Sequence, residues 1–192
     1  MAIVINGSGT VTGLAVGGLP DGTVDAGTLA TDSVTAAKLE VSAITATDLP
    51  AGSVIQVVSA DIGALTTSSS QSFVDTNASI AITPQFSNSK ILATFTFAIA
   101  VWGQARARGG YRLLRGSTVI SGGATEVIQI RDVSGDTEVT MPVSLSYLDS
   151  PSSTSATTYK VQIVATSSGG NVQMVGQGNT RPGNMILMEI AG

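Results

Sequence analysis

From Leu14 to Val54 an aliphatic side chain returns at every fifth position: Leu14, Leu19, Val24, Leu29, Val34, Leu39, Ile44, Leu49 and Val54. A spacing of five matches neither the 3.6-residue period of a helix nor the two-residue period of a strand, so no single regular element can present these residues on one face. Each must follow a bend. Leu holds positions 19, 29, 39 and 49, and Ala26, Ala36 and Ala46 follow the intervening Val or Ile, so the unit is about Leu-x-x-x-[Ser/Thr]-Val-x-Ala-x-x. Such a segment, interrupted by Gly18, Gly22, Gly27, Gly52, Pro20 and Pro50, cannot bury one thin row of aliphatics alone. Three copies wound about a common axis can, as repeat architectures gain a core that single units lack. The expected stem therefore spans 18–52, with Leu19, Val24, Leu29, Val34, Leu39, Ile44 and Leu49 as its threefold core. A flexible Gly/Thr-rich linker is the alternative. Single helical turns fit only at 35–39 and 45–49, each opening on a Thr, Thr35 or Thr45, able to cap the turn that follows.

Charge separates this segment from the remainder. Residues 1–52 hold Lys38 against Asp21, Asp25, Asp32, Glu40 and Asp48, which accounts for the whole net charge of −4; residues 53–192 balance. That split fits a solvated extension on a compact neutral domain. No basic tract of the kind that displaces counterions from phosphates is present, so nucleic acid is not an expected partner. The opening Met1-Ala-Ile-Val-Ile5 breaks at once into Asn6-Gly-Ser-Gly9, which predicts no N-terminal export signal. No apolar run approaches the ~20 residues that span a bilayer, and membrane insertion is not expected.

The 192 residues contain neither His nor Cys. Imidazole and thiol nucleophiles, a Ser-His-Asp triad, the usual zinc sites and disulfides are thereby excluded. Carboxylate chemistry remains, and Asp132, Asp136 and Glu138 read as ordinary turn and surface acids. Glu189 stands out because it interrupts the apolar run Met185–Ile190, where it needs an Arg partner or a subunit seam. The glycine-rich stretches lack the Lys-Ser/Thr of a phosphate loop. No catalysis, cofactor or metal is expected; an ion on a threefold axis would need carboxylate or carbonyl ligands.

Beyond residue 53 the pattern changes to short strands between turns. Ile91, Ala93, Phe95, Phe97, Ile99 and Val101 alternate with Leu92, Thr94, Thr96, Ala98 and Ala100, a period-two strand with one bulky and one small face. Val139, Met141, Val143, Leu145 and Tyr147 alternate likewise, as do Tyr159, Val161, Ile163 and Ala165. Further strands are expected at 54–59, 72–82, 110–115, 125–132, 172–176 and 185–190. About nine antiparallel strands predict an all-β, jelly-roll-like β-sandwich head over 53–192. Only 11% of residues are charged and 4% aromatic, which suits a subunit that hides surface against copies of itself. Thr94, Thr96, Ala98 and Ala100 form a possible trimer face; a solvated face is the competing reading.

Between Asp75 and Glu126 there is no acid, whereas Lys90, Arg106, Arg108, Arg112 and Arg115 all fall there. The segment Trp102-Gly-Gln-Ala-Arg-Ala-Arg-Gly-Gly-Tyr111 follows a strand and reads as a loop or hairpin. Arginines bind carboxylate or phosphate and aromatic faces stack on sugar rings, so Trp102, Arg106, Arg108 and Tyr111 are candidates for meeting an acidic cell-surface glycan. The competing reading packs the aromatics under a turn and pairs the arginines with acids of a neighbouring copy.

The head resembles the C-terminal domains of bacteriophage tail-fibre and related virion appendage proteins through several segments. These are Ser89-Lys-Ile-Leu92, Tyr111-Arg-Leu-Leu-Arg-Gly-Ser-Thr-Val-Ile120, Tyr147-Leu-Asp-Ser-Pro followed by Ala156-Thr-Thr-Tyr-Lys-Val-Gln162, and the ending Ile186-Leu-Met-Glu-Ile-Ala191. The opening Ile3-Val-Ile-Asn-Gly-Ser-Gly-Thr10 and Gly17-Gly-Leu-Pro-Asp-Gly22 look like the start of such fibres. The resemblance implies a homotrimeric virion fibre, docked by residues 1–17 on a tail, baseplate or other virion protein, with its head pointing out toward a host surface. A capsid-decorating head fibre of the same construction and a soluble trimeric lectin-like protein are the alternatives.

Overall fold

The strand periodicities of the sequence emerge as real strands. A computed structural model describes residues 24, 29, 31–35, 39, 45, 48–103, 106–122, 128–129, 138–175 and 183–192. The chain divides into two units, Met1–Thr45 and Ala46–Gly192. In the second, every regular element among the described residues is a strand or an isolated turn: β1 Val54–Asp61, β2 Thr66–Ser68, β3 Val74–Ile82, β4 Lys90–Trp102, β5 Arg108–Arg115, β6 Thr118–Gly122, β7 Ile128–Gln129, β8 Val139–Asp149, β9 Thr157–Ala165, β10 Asn171–Val175 and β11 Asn184–Ile190.

Pairing is nested. β1 pairs with β11, β3 with β9, β4 with β8 and β5 with β6, all antiparallel, so the chain's outer strands enclose its inner ones. Across the first sheet the order is β1, β11, β4, β8, with β10 and β2 continuing from the far half of β4; the second sheet runs β3, β9, β5, β6, with β7 beside β5. Eight strands in two sheets with this nesting follow the jelly-roll pattern.

The two sheets share one core. Ile91, Ala93, Phe95, Phe97, Ile99 and Val101 on β4 are buried, and they pack in one cluster with Ile80, Ile82, Leu113, Tyr159, Val161, Ile163, Val172, Met174, Met185 and Leu187. Each fully buried Ile, Leu or Phe stabilises by about 1.5–3 kcal/mol. The opposite residues of β4 face outward: Leu92, Thr94 and Ala98 are half-buried and Thr96 is exposed. Ala100 departs from the expectation, because it is fully buried within the chain, so the small face ends at Ala98. β8 keeps the expected alternation, yet Met141 and Tyr147 remain 45% and 37% exposed because β8 is paired on one side only, with β4.

β3 carries an irregularity between Asp75, opposite Gln162, and Ser79, opposite Lys160. Thr76 bridges the gap, its hydroxyl donating to the Val161 carbonyl at 2.7 Å. The Asn77 side chain donates to the Leu65 carbonyl at 3.3 Å, which ties this bulge to the segment entering β2 and so to the other sheet. A bulge of this kind leaves the strand to re-aim its neighbours.

In the first unit, Val24, Leu29, Val34 and Leu39 are 48%, 45%, 53% and 44% exposed in the single chain. Leu49, in the second unit, is half-buried. Leu19, Ile44 and the whole of 1–17 lie outside the described residues, as do Asp132 and Asp136 and, of the two expected helical turns, residues 36–38 and 46–47.

Candidate functional site: the cationic loop and the outer faces

β4 ends at Trp102, which pairs with Asn171 of β10, and the chain then turns through Gly103. Gly103 sits at φ +96°, and a Cβ there would lie 2.6 Å from the Asn171 side-chain nitrogen, so both conformation and space require glycine. Arg106 follows, exposed and itself at φ +64°. β5 begins at Arg108, whose backbone N–H donates to the Ser167 hydroxyl at 3.0 Å and whose carbonyl accepts from Thr166 at 3.0 Å. Gly109 then allows close approach between the sheets, since a Cβ would meet Val101 at 2.8 Å and Val172 at 2.9 Å.

The four candidate receptor residues therefore do not form one exposed cluster. Trp102 and Arg108 are half-buried and Arg106 is exposed. Tyr111 points into the sandwich, its ring meeting Phe97 edge-on at 5.7 Å between centroids. Arg108 and Tyr111 are three residues apart on one strand and so lie on opposite faces of it.

A second polar array, not foreseen from the sequence, crosses the outer face of the β3–β9–β5 sheet. Lys160 pairs with Asp75 at 2.8 Å, Gln162 donates to the same carboxylate at 2.7 Å, and Arg112 Nε donates to Gln162 at 2.7 Å. The Arg112 guanidinium also covers the Phe73 ring at 4.0 Å, a cation–π contact. Hydrogen bonds from Lys160 and then Gln162 hold the Asp75 carboxyl below its ordinary value. Beside this array is an open depression of about 480 Å³ lined by Asp75, Thr76, Ser79, Gly116, Ser117, Thr158 and Lys160. Its lining comes from three separate stretches, 75–79, 116–117 and 158–160, so only strand pairing brings them together. Hydroxyls, one carboxylate and one ammonium can hydrogen-bond a polyhydroxylated ligand.

Glu189 is fully buried, and its partners are neither an arginine nor a subunit seam. The Gln56 side chain and the backbone N–H groups of Gln85 and Phe86, at 2.7 and 3.3 Å, donate to its two oxygens. Burial pushes this carboxyl up, and those hydrogen bonds, led by Gln56, outweigh it and leave it below the ordinary value. β1, β11 and the segment after β3 are thus tied at one point. Next to it, the ladder runs past the strand ends: Ala191 N–H donates to Ser53 at 2.9 Å and Gly52 N–H to Ala191 at 2.8 Å.

No group of three or more carboxylates able to hold a metal occurs among the described residues. Nor does any described helix have the length and apolarity to cross a membrane.

No protein-family description and no curated protein matches the chain. Solved structures that align with the chain include infectious bursal virus-derived T=1 particles, at 15% identity over 71% of this chain and 36% of that one with a TM-score of 0.35. Another is the infectious bursal disease virus VP2 subviral particle, at 14% identity over 71% of this chain and 37% of that one with a TM-score of 0.32. Dimeric latent PorU from Porphyromonas gingivalis aligns at 8% identity over 74% of this chain and 14% of that one, with a TM-score of 0.31. The chain spans about a third of the length of the first of these. Scores and identities this low assign neither family nor function.

Proposed function

We propose that this chain is one strand of a homotrimeric structural fibre of a virus particle, of the bacteriophage tail-fibre kind. Residues 1–17 attach to the particle, the repeat forms the stem and the β-sandwich is the head presented to the host surface. The observation that carries this reading is the five-residue aliphatic ladder, whose described members Val24, Leu29, Val34 and Leu39 stand roughly half open to water in a single copy. A regular row of that kind gains stability only when further copies of the row cover it. Support also comes from the resemblance of the head segments to fibre C-terminal domains. In this reading the protein is not an enzyme, and adhesion is the work of exposed polar surface on the head, which includes the exposed cation Arg106.

Immunogold electron microscopy of particles that carry the chain tests the assignment. Label on tail or baseplate appendages is expected. Label over the capsid shell would replace the tail fibre with a capsid-decorating fibre of the same build, and particles free of label would overturn the virion role.

A further inference from the structure

Strand register places four aliphatic side chains in one straight row across the outer face of the first sheet. Val57 lies opposite Met188, Met188 opposite Leu92 and Leu92 opposite Leu148, so the row crosses β1, β11, β4 and β8 without a polar interruption. Directly opposite residues on antiparallel strands project to the same side. At its two ends Val57 and Leu148 are 55% and 49% exposed, and Met188 and Leu92 between them are half-buried. The next row toward the middle of the sheet, Ser59, Ile186, Thr94 and Ser146, is more polar, and the one after, Asp61, Asn184, Thr96 and Ser144, is wholly so. Ala98 and Pro142 face each other farther along, and the four-residue aliphatic row itself lies at the end of the sheet at which the chain enters β1.

That position identifies the occupant. Val54, the ninth and last slot of the five-residue ladder, is the first residue of β1; it pairs with Ile190, one rung from the row, and is 52% exposed. Val54 thus belongs both to the five-residue ladder of the sequence and to the apolar end of this sheet face. Since the ladder is a threefold core in the proposed function, on which this inference rests, its natural continuation is the same set of copies. We infer that the head trimerises through the band Val57, Met188, Leu92 and Leu148, flanked by Val54 and Ile190, packed against the equivalent bands of two further copies of this chain. The smaller side chains Thr94, Thr96 and Ala98 lie beyond the band and contribute shape complementarity. Because each copy offers the same band about one axis, the contact closes on itself and leaves no apolar surface for open-ended growth.

The absence of native cysteine makes the test clean. Val57→Cys and Leu148→Cys are made singly in the full-length protein, with Thr158→Cys on the exposed outer side of β9 as the reference. Maleimide labelling of the native protein is timed and the mass in solution is measured alongside. Thiol reactivity follows access, so burial in the seam is expected to slow labelling at 57 and 148 by about tenfold or more relative to 158, in a particle of trimeric mass. Labelling as fast as at 158 in a trimer would overturn the seam and leave the trimer standing. Fast labelling in a monomer would overturn both. Slow labelling in a monomer would mean that the chain's own N-terminal segment covers the band, which also contradicts the proposal. Labelling after urea unfolding must be equally fast at all three sites, which separates protection by the fold from any intrinsic difference between the thiols.

Discussion

The phenol hydroxyl of Tyr159 donates to the Asp149 carboxylate at 2.7 Å, joining the middle of one sheet to the edge of the other. Arg115, the cross-strand neighbour of Tyr159, completes the link by reaching both oxygens of Asp149 at 2.8 and 2.9 Å and the Ser150 carbonyl at 3.2 Å. Asp149 is almost fully buried, so the carboxylate has exchanged water for these donors. Removing one donor leaves a charge short of partners, which costs more than the bond itself contributes.

Tyr159→Phe should therefore destabilise the head by about 1–2 kcal/mol, and Arg115→Ala by about 2–3 kcal/mol. Burial, together with the bond to Asp149, holds the phenol well above its ordinary value. Its folded-state value is raised, so the stabilisation is complete below the ordinary phenol range near 10 and is lost as the pH climbs beyond it. Urea titrations between pH 8 and about 11 should show a steep alkaline decline in the native protein and a shallower one in Tyr159→Phe. Equal slopes would mean that this phenol does not govern alkaline stability.

At Glu189 the sign reverses. Its carboxyl is depressed in the folded state, so its stabilisation is present above the ordinary value of 4.5 and disappears as the pH falls below it. Glu189→Gln presents an amide nitrogen where an acceptor is needed, and should cost about 2 kcal/mol at neutral pH while flattening the acid limb of the stability profile. Denaturation at pH 7 and near pH 3 distinguishes this from a general packing defect, which would lower stability equally at both.

Phe95 lies fully buried in β4 at the centre of the core. Phe95→Ala is expected to lower stability by about 3–5 kcal/mol through lost burial and the cavity left behind. Calorimetry or urea unfolding of the variant measures this, and a cost under about 1 kcal/mol would contradict the central position assigned to it.

The cationic loop separates adhesion from structure. Arg106→Ala should leave stability within about 0.5 kcal/mol and reduce attachment to host cells, because its side chain is exposed. Tyr111→Ala should act through the fold, costing about 2–3 kcal/mol, since its ring packs on Phe97. Cell-binding assays beside unfolding curves decide the matter; unchanged attachment by Arg106→Ala would remove the loop from the adhesive surface.

Strands were legible wherever burial on one face is strict. The alternation at 91–101 became β4 and that at 159–165 became β9, because in these stretches one side of a pleated strand meets the core; 139–147 became β8, of which Val143 is buried in the core and Val139 and Leu145 pack against it. β2 and β6 escaped notice: Thr66–Ser68 and Thr118–Gly122 are short and lack alternation, and their pairing depends on distant partners. The same reason hides the polar links. Nothing near Asp75 announces Lys160, and nothing near Arg115 announces Asp149, because strand register alone places them in contact. Tyr111 shows the converse limit: composition marked the loop as cationic and aromatic, but the parity of β5 turns its ring inward and Arg108 outward. The apolar row was concealed too, since each of its four residues belongs to a different strand and only the register aligns them.

The central claim is that three copies of this chain make one fibre. Sedimentation equilibrium of the full-length protein at micromolar concentration tests it directly, and the account predicts a single species of three times the 19.3 kDa chain mass. A single species at the chain mass, persisting as the concentration is raised, would contradict it.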